Sequence, residues 1–197
     1  MTHLVRPGED EGRIPDLAFW RRWLEGAQAR SPAEDAFVLG YFTHLVSDNL
    51  WMHFVGSATQ ETFAAEFAAN RAATWGRVKA DWYGLDFKHL RDVPDNVFAR
   101  VVMPAAHPIS PLPFLPTEAL AHRLDDLRAF YGSPSGGPLN RPYPYLSEAT
   151  MTQVIEPILA LVRQLEAGEV PVHERVSLKV LALPARCCPG RRAGPVG

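Results

Sequence analysis

Two residues whose chemistry suits a metal ion, His44 and Asp48, lie four positions apart within the largely apolar segment 37–54, FVLGYFTHLVSDNLWMHF. Residues four apart on a helix lie one turn apart on the same face, so the imidazole and the carboxylate can meet. We expect this helix to run through the core, where a carboxylate is costly unless it is paired, hydrogen-bonded or bound to a metal. What compensates Asp48 is therefore the functional question.

Two interpretations of this pair compete. In the first, His44 and Asp48 bond to each other or to neighbouring helices and serve only the fold. In the second, they are metal ligands, because imidazole nitrogen and carboxylate oxygen suit zinc. Thr43 and Ser47 widen the polar patch beside them, and Trp51 follows one turn further along. The His-x-x-x-Asp spacing is common, so the spacing alone does not decide between the two.

Three further residues are candidates for the same site. His53 lies about 140° around a straight helix from Asp48, so sharing one metal would need a kink or the end of the helix there. Asp81 is flanked by aromatic residues and could face the pair across two antiparallel helices. His3 lies close to the N-terminus, where a lone histidine is usually just solvated.

Other titratable pairs and motifs point elsewhere. His122 and Asp126 repeat the His-x-x-x-Asp spacing but lie opposite a leucine stripe, so we expect a solvated face. Asp86 and His89 are also expected at the surface. The sequence contains no Gly-x-Ser-x-Gly elbow, no Gly-rich phosphate loop and no His-Glu-x-x-His motif.

The composition narrows the class of protein. The chain has 197 residues, of which 47% are hydrophobic and 21% charged, as in a soluble globular domain with a sizeable core. A net charge of −2 argues against nucleic acid as an electrostatic partner. No uninterrupted apolar run reaches the ~20 residues of a membrane span, and the N-terminus lacks the apolar core of a signal peptide. The two adjacent cysteines, Cys187 and Cys188, fit a reducing, cytoplasmic setting.

Helical periodicity predicts an all-α fold, a packed multi-helix bundle with a proline-rich loop. Ser31, Pro32 and Glu34 form a helix-start signal, and Pro157 should kink or restart the last helix. The predicted helices cover residues 16–29, 32–55, 59–83, 117–131 and 147–167, with a break at 56–57 and one or two short helices within 86–102. Residues 103–116 carry five prolines and form a connector or a lid over the core. We expect one domain over 1–183, with a possible strand at 176–183, and a disordered tail over 184–197.

The segment Gly40–Asp48, GYFTHLVSD, with Trp51 following, resembles the helix of bacterial zinc-dependent phospholipase C-like proteins. The family pattern there is Gly-Tyr-x-x-His-x-x-x-Asp. Residues 15–17 and the Trp82-Tyr83 region are similar to the divergent cytoplasmic branch of that family, and the resemblance extends over residues 1–100. It implies an all-α fold and clustered zinc ions that hydrolyse phosphodiesters.

The resemblance also implies a ligand set. His44 and Asp48 would be zinc ligands, His53 would match a third histidine that follows the aspartate, and His3 would match a histidine upstream of this helix. The chain departs from the family in two ways. Family enzymes carry a His-x-x-x-Glu pair on the following helix, whereas residues 57–82 contain no histidine. They also begin with an earlier ligand segment around Ala-Pro-Asp, which we expect to be missing here, leaving one or two zinc ions, or none.

Two functions follow as expectations. The first is metal-assisted hydrolysis of a small phosphoester or lipid-like substrate, with Asp81 as a further ligand or the general base. Trp51, Trp82 and the proline-rich loop would then shape an apolar mouth. The alternative is a helical binding or interaction module with a vestigial metal site. The missing upstream segment and the missing second histidine favour this alternative.

Overall fold

A computed structural model describes residues 16–25, 29–134 and 137–167 of the chain. Within these ranges the chain forms α-helices and two π-helical segments and no strand, which confirms the predicted all-α, multi-helix fold. The elements are α1 (Asp16–Trp23), α2 (Pro32–Trp51), π1 (Met52–Ser57), α3 (Ala58–Thr62), α4 (Ala64–Ala69), α5 (Arg71–Asp92), π2 (Phe98–Val102), α6 (Thr117–Gly132) and α7 (Glu148–Glu166). His3, the possible strand at 176–183 and the tail 184–197 lie outside the described residues.

Helix α2 begins where its start signal predicts. The hydroxyl of Ser31 accepts a hydrogen bond from the backbone N–H of Glu34, and the Glu34 carboxylate accepts one from the backbone N–H of Ser31 at 2.7 Å. This reciprocal capping box satisfies two backbone donors at the helix start. The hydrogen bonds from Ser31 lower the pKa of Glu34, and Pro32 occupies the first turn. The start of the helix that carries His44 is therefore fixed by local interactions.

The end of α2 differs from the prediction. The break predicted at Gly56 and Ser57 is wrong, because the chain stays helical through π1 and continues into α3. A π-helix bonds each residue to the fifth along, so each residue turns through a smaller angle than in an α-helix. The helix that carries His44 and Asp48 thus changes its twist at Met52, one residue before His53.

The helix predicted over residues 59–83 is divided into three. Phe63 leaves the helical conformation, with φ of −108° and ψ of 29°, between α3 and α4. Asn70 then caps α5, its side-chain oxygen accepting a 3.0 Å hydrogen bond from the N–H of Ala73. Helix α5 runs on to Asp92, so Asp86 and His89 belong to this long helix rather than to a separate short one.

One hydrophobic core connects α1, α2, α5 and α7. Helix α2 lies at its centre, and Phe19 of α1 is only 1% exposed against it. Helix α7 stays continuous through Pro157, so the helix does not restart there. The buried core side chains, apart from Phe19, are Val38, Phe42, Leu45, Val46, Leu50, Val55, Leu85, Leu112, Tyr143, Leu146, Val154, Ile158 and Leu161.

The proline-rich segment 103–116 is fastened to the bundle. Leu112 is buried at 2% exposure, and Arg128 of α6 donates hydrogen bonds to the carbonyl oxygens of Val102 and Ala105. Nε2 of His107 lies 2.9 Å from Oδ1 of Asp125 on the same helix. The segment is a structured connector packed on the core, one of the two forms expected from its prolines.

Candidate metal centre at His44 and Asp48

His44 and Asp48 meet on α2 as their spacing predicts. Nε2 of His44 lies 3.6 Å from Oδ2 of Asp48, one helical turn away. A zinc ion bound tetrahedrally by nitrogen and oxygen at about 2.0–2.2 Å holds two ligand atoms about 3.4 Å apart. The two atoms therefore already stand close to the separation that a shared ion requires, and a small rotamer adjustment would close the difference.

The burial expected for this pair is wrong. The Asp48 side chain is 32% exposed and that of His44 is 38% exposed, so neither is sealed among apolar neighbours. Helix α2 presents one fully buried face, and the residues beside that face, including Phe37 and Leu39, are only half-buried. Desolvation therefore does not by itself require a cation at Asp48. The same exposure leaves the pair accessible to water and to small molecules.

The polar patch around the pair is smaller than the sequence indicated. The hydroxyl of Thr43 donates a 2.9 Å hydrogen bond to the carbonyl oxygen of Gly40, so it serves the helix backbone rather than the site. His53 is exposed on π1, where its ring packs against Phe54 with ring centres 5.0 Å apart. In the described ranges, no three His, Cys, Asp or Glu side chains lie together in a way that could hold a metal ion.

Asp81 has partners of its own. It is buried at 3% exposure, on the face of α5 that also buries Thr74, Val78 and Leu85. Its Oδ1 accepts a 2.6 Å hydrogen bond from Nη1 of Arg141, and its Oδ2 accepts a 2.9 Å bond from the backbone N–H of Tyr145. Both carboxylate oxygens are thus used to fix the loop before α7. Asp81 does not join His44 and Asp48 in a group of three.

Aromatic rings connect the proline-rich connector to His44. The Tyr41 ring packs edge-on to the His44 imidazole with ring centres 6.0 Å apart, and Phe114 of the connector packs edge-on to Tyr41 at 6.0 Å. Burial raises the pKa of Tyr41, consistent with an apolar environment on this side of the histidine. Trp51 instead packs against Trp82 at 5.3 Å, which ties α2 to α5.

A cleft between α5 and α7 lies away from this pair. It encloses about 670 Å³ and includes Asp86, whose carboxylate accepts a 2.6 Å hydrogen bond from the hydroxyl of Tyr131. His89 is exposed as expected, whereas Asp86 is half-buried, and this burial raises the pKa of its carboxyl. The one sequence signal for this was that Asp86 directly follows Leu85 at the edge of the buried stripe of α5.

The exposed pair expected at His122 and Asp126 is present, with Nδ1 and Oδ2 3.3 Å apart and side chains 79% and 49% exposed.

Comparisons with protein-family models, with curated proteins and with solved structures give no match for this chain. The resemblance to zinc-dependent phospholipase C-like proteins therefore stays a prediction. Among the helices that the structure describes, none combines the length and apolarity needed to cross a bilayer.

Proposed function

We propose that this chain is a zinc-dependent phosphoester hydrolase whose metal centre is built on His44 and Asp48. The observation that carries the proposal is the 3.6 Å separation of the two ligand atoms at a solvent-accessible position on α2. One imidazole and one carboxylate are a ligand combination that zinc enzymes use. A catalytic site also needs an open coordination position, and the partial exposure of both side chains is compatible with one.

Zinc in catalytic sites takes three protein ligands, so this pair supplies two of them. The resemblance implies His3 and His53 for the remainder. His53 follows the change from α-helix to π-helix at Met52, which turns it through a smaller angle from Asp48 than a straight α-helix would. The chain stays helical at His53, which does not form a group of three with His44 and Asp48, so His53 would have to move to reach the same ion.

Zinc would supply Lewis acidity, providing a nucleophilic water near pH 7 and offsetting charge on phosphoryl oxygens. The residues of the chain do the rest. His44 and Asp48 would hold the ion, and the Tyr41 ring, packed edge-on to the imidazole, would restrain its orientation. Phe114 brings an apolar side chain of the connector close to that ring, where it could contact the organic group of an ester. Asp81 has no catalytic role in this mechanism, because Arg141 and the Tyr145 N–H occupy its carboxylate.

The test is hydrolysis of bis(4-nitrophenyl) phosphate by the full chain, first treated with chelator and then given zinc. We expect activity that returns with zinc in the wild type and is lost in His44→Ala and Asp48→Asn. His122→Ala is the matched control, because it removes a histidine from an exposed pair with the same spacing. A hydrolysis rate that is the same with and without zinc, and is unchanged in His44→Ala, would exclude this mechanism.

A second candidate, a helical binding module with a vestigial metal site, is favoured by one specific observation. Asp81, expected as a further ligand or the general base, is buried and forms an ion pair with Arg141 instead. In that case the wild type would hold no zinc, and His44→Ala would change at most the stability of the protein. Zinc-dependent hydrolysis by the wild type would exclude the second candidate.

A further inference from the structure

The cleft between α5 and α7 has the size and the lining of a small-molecule site. Its volume of about 670 Å³ falls within the range of about 300–1,000 Å³ that is usual for ligand pockets. Phe98 of π2 and Tyr131 of α6 also contribute to its lining. The apolar side chains that line it are Leu85, Leu90, Phe98, Met151 and Ile155. These side chains form a surface suited to an aliphatic chain.

Asp86 places a carboxylate within this apolar lining. Its Oδ2 accepts the 2.6 Å hydrogen bond from Tyr131, the hydrogen-bond partner of Asp86 among the described residues. That bond reaches one of the two carboxylate oxygens, and an ionised carboxylate can accept several more hydrogen bonds. Burial raises the pKa of Asp86, with the Tyr131 bond and nearby His89 opposing the shift. Asp86 is thus a half-buried carboxylate with one oxygen bonded to Tyr131.

The charges at the rim of the cleft largely cancel in ion pairs. Nζ of Lys88 lies 2.9 Å from Oδ2 of Asp92 and 3.0 Å from Oε2 of Glu148, so both neighbouring carboxylates hold this cation. Arg91, outside the lining, also pairs with Asp92 at 2.7 Å. The charged lining residues, His89 aside, are then Asp86, Lys88, Asp92 and Glu148. Lys88 and Arg91 balance Asp92 and Glu148, so the carboxylate of Asp86 gives the lining its negative charge, and a cation complements the cleft better than an anion does.

We propose that this cleft binds an amphipathic organic cation, with its aliphatic chain against the apolar wall and its ammonium group donating a hydrogen bond to Asp86. An ammonium offers three donors, which match the free acceptor capacity of the carboxylate beside Tyr131. A fatty acid or an organic phosphate would instead bring a second negative charge next to Asp86. The site is separate from the His44 and Asp48 pair and does not depend on a metal.

The test is isothermal titration of the full chain at pH 7.5 with three probes of equal chain length: n-octylammonium, n-octanol and octanoate. We expect octylammonium to bind about tenfold or more tightly than either of the others, because its ammonium group can donate a charge-assisted hydrogen bond to the Asp86 carboxylate. Asp86→Asn should lower the affinity for octylammonium about tenfold and leave that for octanol unchanged. Asn keeps an acceptor for the Tyr131 hydroxyl, so the local fold is retained.

Two further variants separate the cleft from the surface. Asp126→Asn, the same substitution at an exposed acid of α6, should leave all three affinities unchanged. Thr152→Trp, at an exposed residue of the cleft lining, should weaken both octylammonium and octanol by filling the space. Tighter binding of octanoate, equal binding of the three probes, or an unchanged octylammonium affinity in Asp86→Asn would each overturn the proposal.

Discussion

Arg141 and Asp81 form an ion pair that joins α5 to the loop that precedes α7. Nη1 of Arg141 lies 2.6 Å from Oδ1 of Asp81, and Nη2 donates a second bond to the carbonyl oxygen of Ala80 at 3.0 Å. The guanidinium also stacks over the Tyr143 ring, 4.2 Å from its centre. Asp81 is fully covered, whereas the Arg141 side chain is 29% exposed. The two partners should therefore respond differently to substitution.

Arg141→Met should cost about 3 kcal/mol in the free energy of unfolding, because it leaves the Asp81 charge buried and unpaired. Asp81→Asn should cost less, about 1 kcal/mol, since water can reach the released guanidinium and Asn still accepts from the Tyr145 N–H. Adding Asp81→Asn to Arg141→Met should recover part of the loss in urea denaturation. If the stability loss of the double variant equals the sum of the losses of the two single variants, this account of the ion pair is contradicted.

Gly84→Ala should destabilise the protein by about 1–3 kcal/mol, as overpacking does. A Cβ at this position would lie 2.7 Å from Cε1 of Tyr143 and 3.0 Å from Nη2 of Arg141, so both side chains would have to move. Gly76→Ala on the same helix is the matched control, because nothing lies within 4 Å of its Cβ position. That variant should gain about 0.5–1 kcal/mol from helix propensity. In thermal denaturation, Gly84→Ala should lower the Tm and Gly76→Ala should raise it.

The stability effect of Asp86→Asn should depend on pH. Burial raises the pKa of Asp86 in the folded protein above its ordinary value of 3.8. The folded state then holds this proton more tightly than the unfolded chain, so stability is lost as the pH rises from that value through the folded-state pKa. The variant avoids this loss and should be more stable relative to the wild type at pH 7 than at pH 3. Urea titrations at the two pH values give the comparison, and a relative stability that falls between pH 3 and pH 7 would contradict it.

Leu112→Ala should destabilise the protein by about 2–4 kcal/mol, as for other buried leucines. Leu112 lies in the proline-rich connector and is 2% exposed, so its side chain belongs to the core. Ile109→Ala in the same connector is the control, since Ile109 is 81% exposed and should change stability by less than about 0.5 kcal/mol. Equal, small effects at both positions would mean that the connector moves freely over the core.

Local signals predicted the local features of the molecule. The capping box at Ser31 and the contact between His44 and Asp48 depend on residues three and four apart, and both are present. The division of the helix predicted over 59–83 had a local signal as well. Asn70 is a good N-cap, but the aromatic periodicity on either side of it predicts one continuous helix.

Features that depend on packing could not be obtained this way. Asp81 pairs with Arg141, 60 positions away, and no periodicity along α5 indicates that partner. The apolar run around Asp48 predicts that the helix is packed against others, but it does not predict how much of the helix circumference is buried, so the 32% exposure of Asp48 could not be obtained from it. The cleft at Asp86 arises only when α5, α6 and α7 are assembled.

Zinc titration of the chelator-treated full chain, followed by isothermal calorimetry, tests the metal centre most directly. We expect the wild type to bind zinc and His44→Ala to lose that binding, while His122→Ala, from the exposed pair with the same spacing, keeps it. A wild type that binds no zinc, or a His44→Ala variant that binds it equally well, would contradict a metal centre at His44 and Asp48.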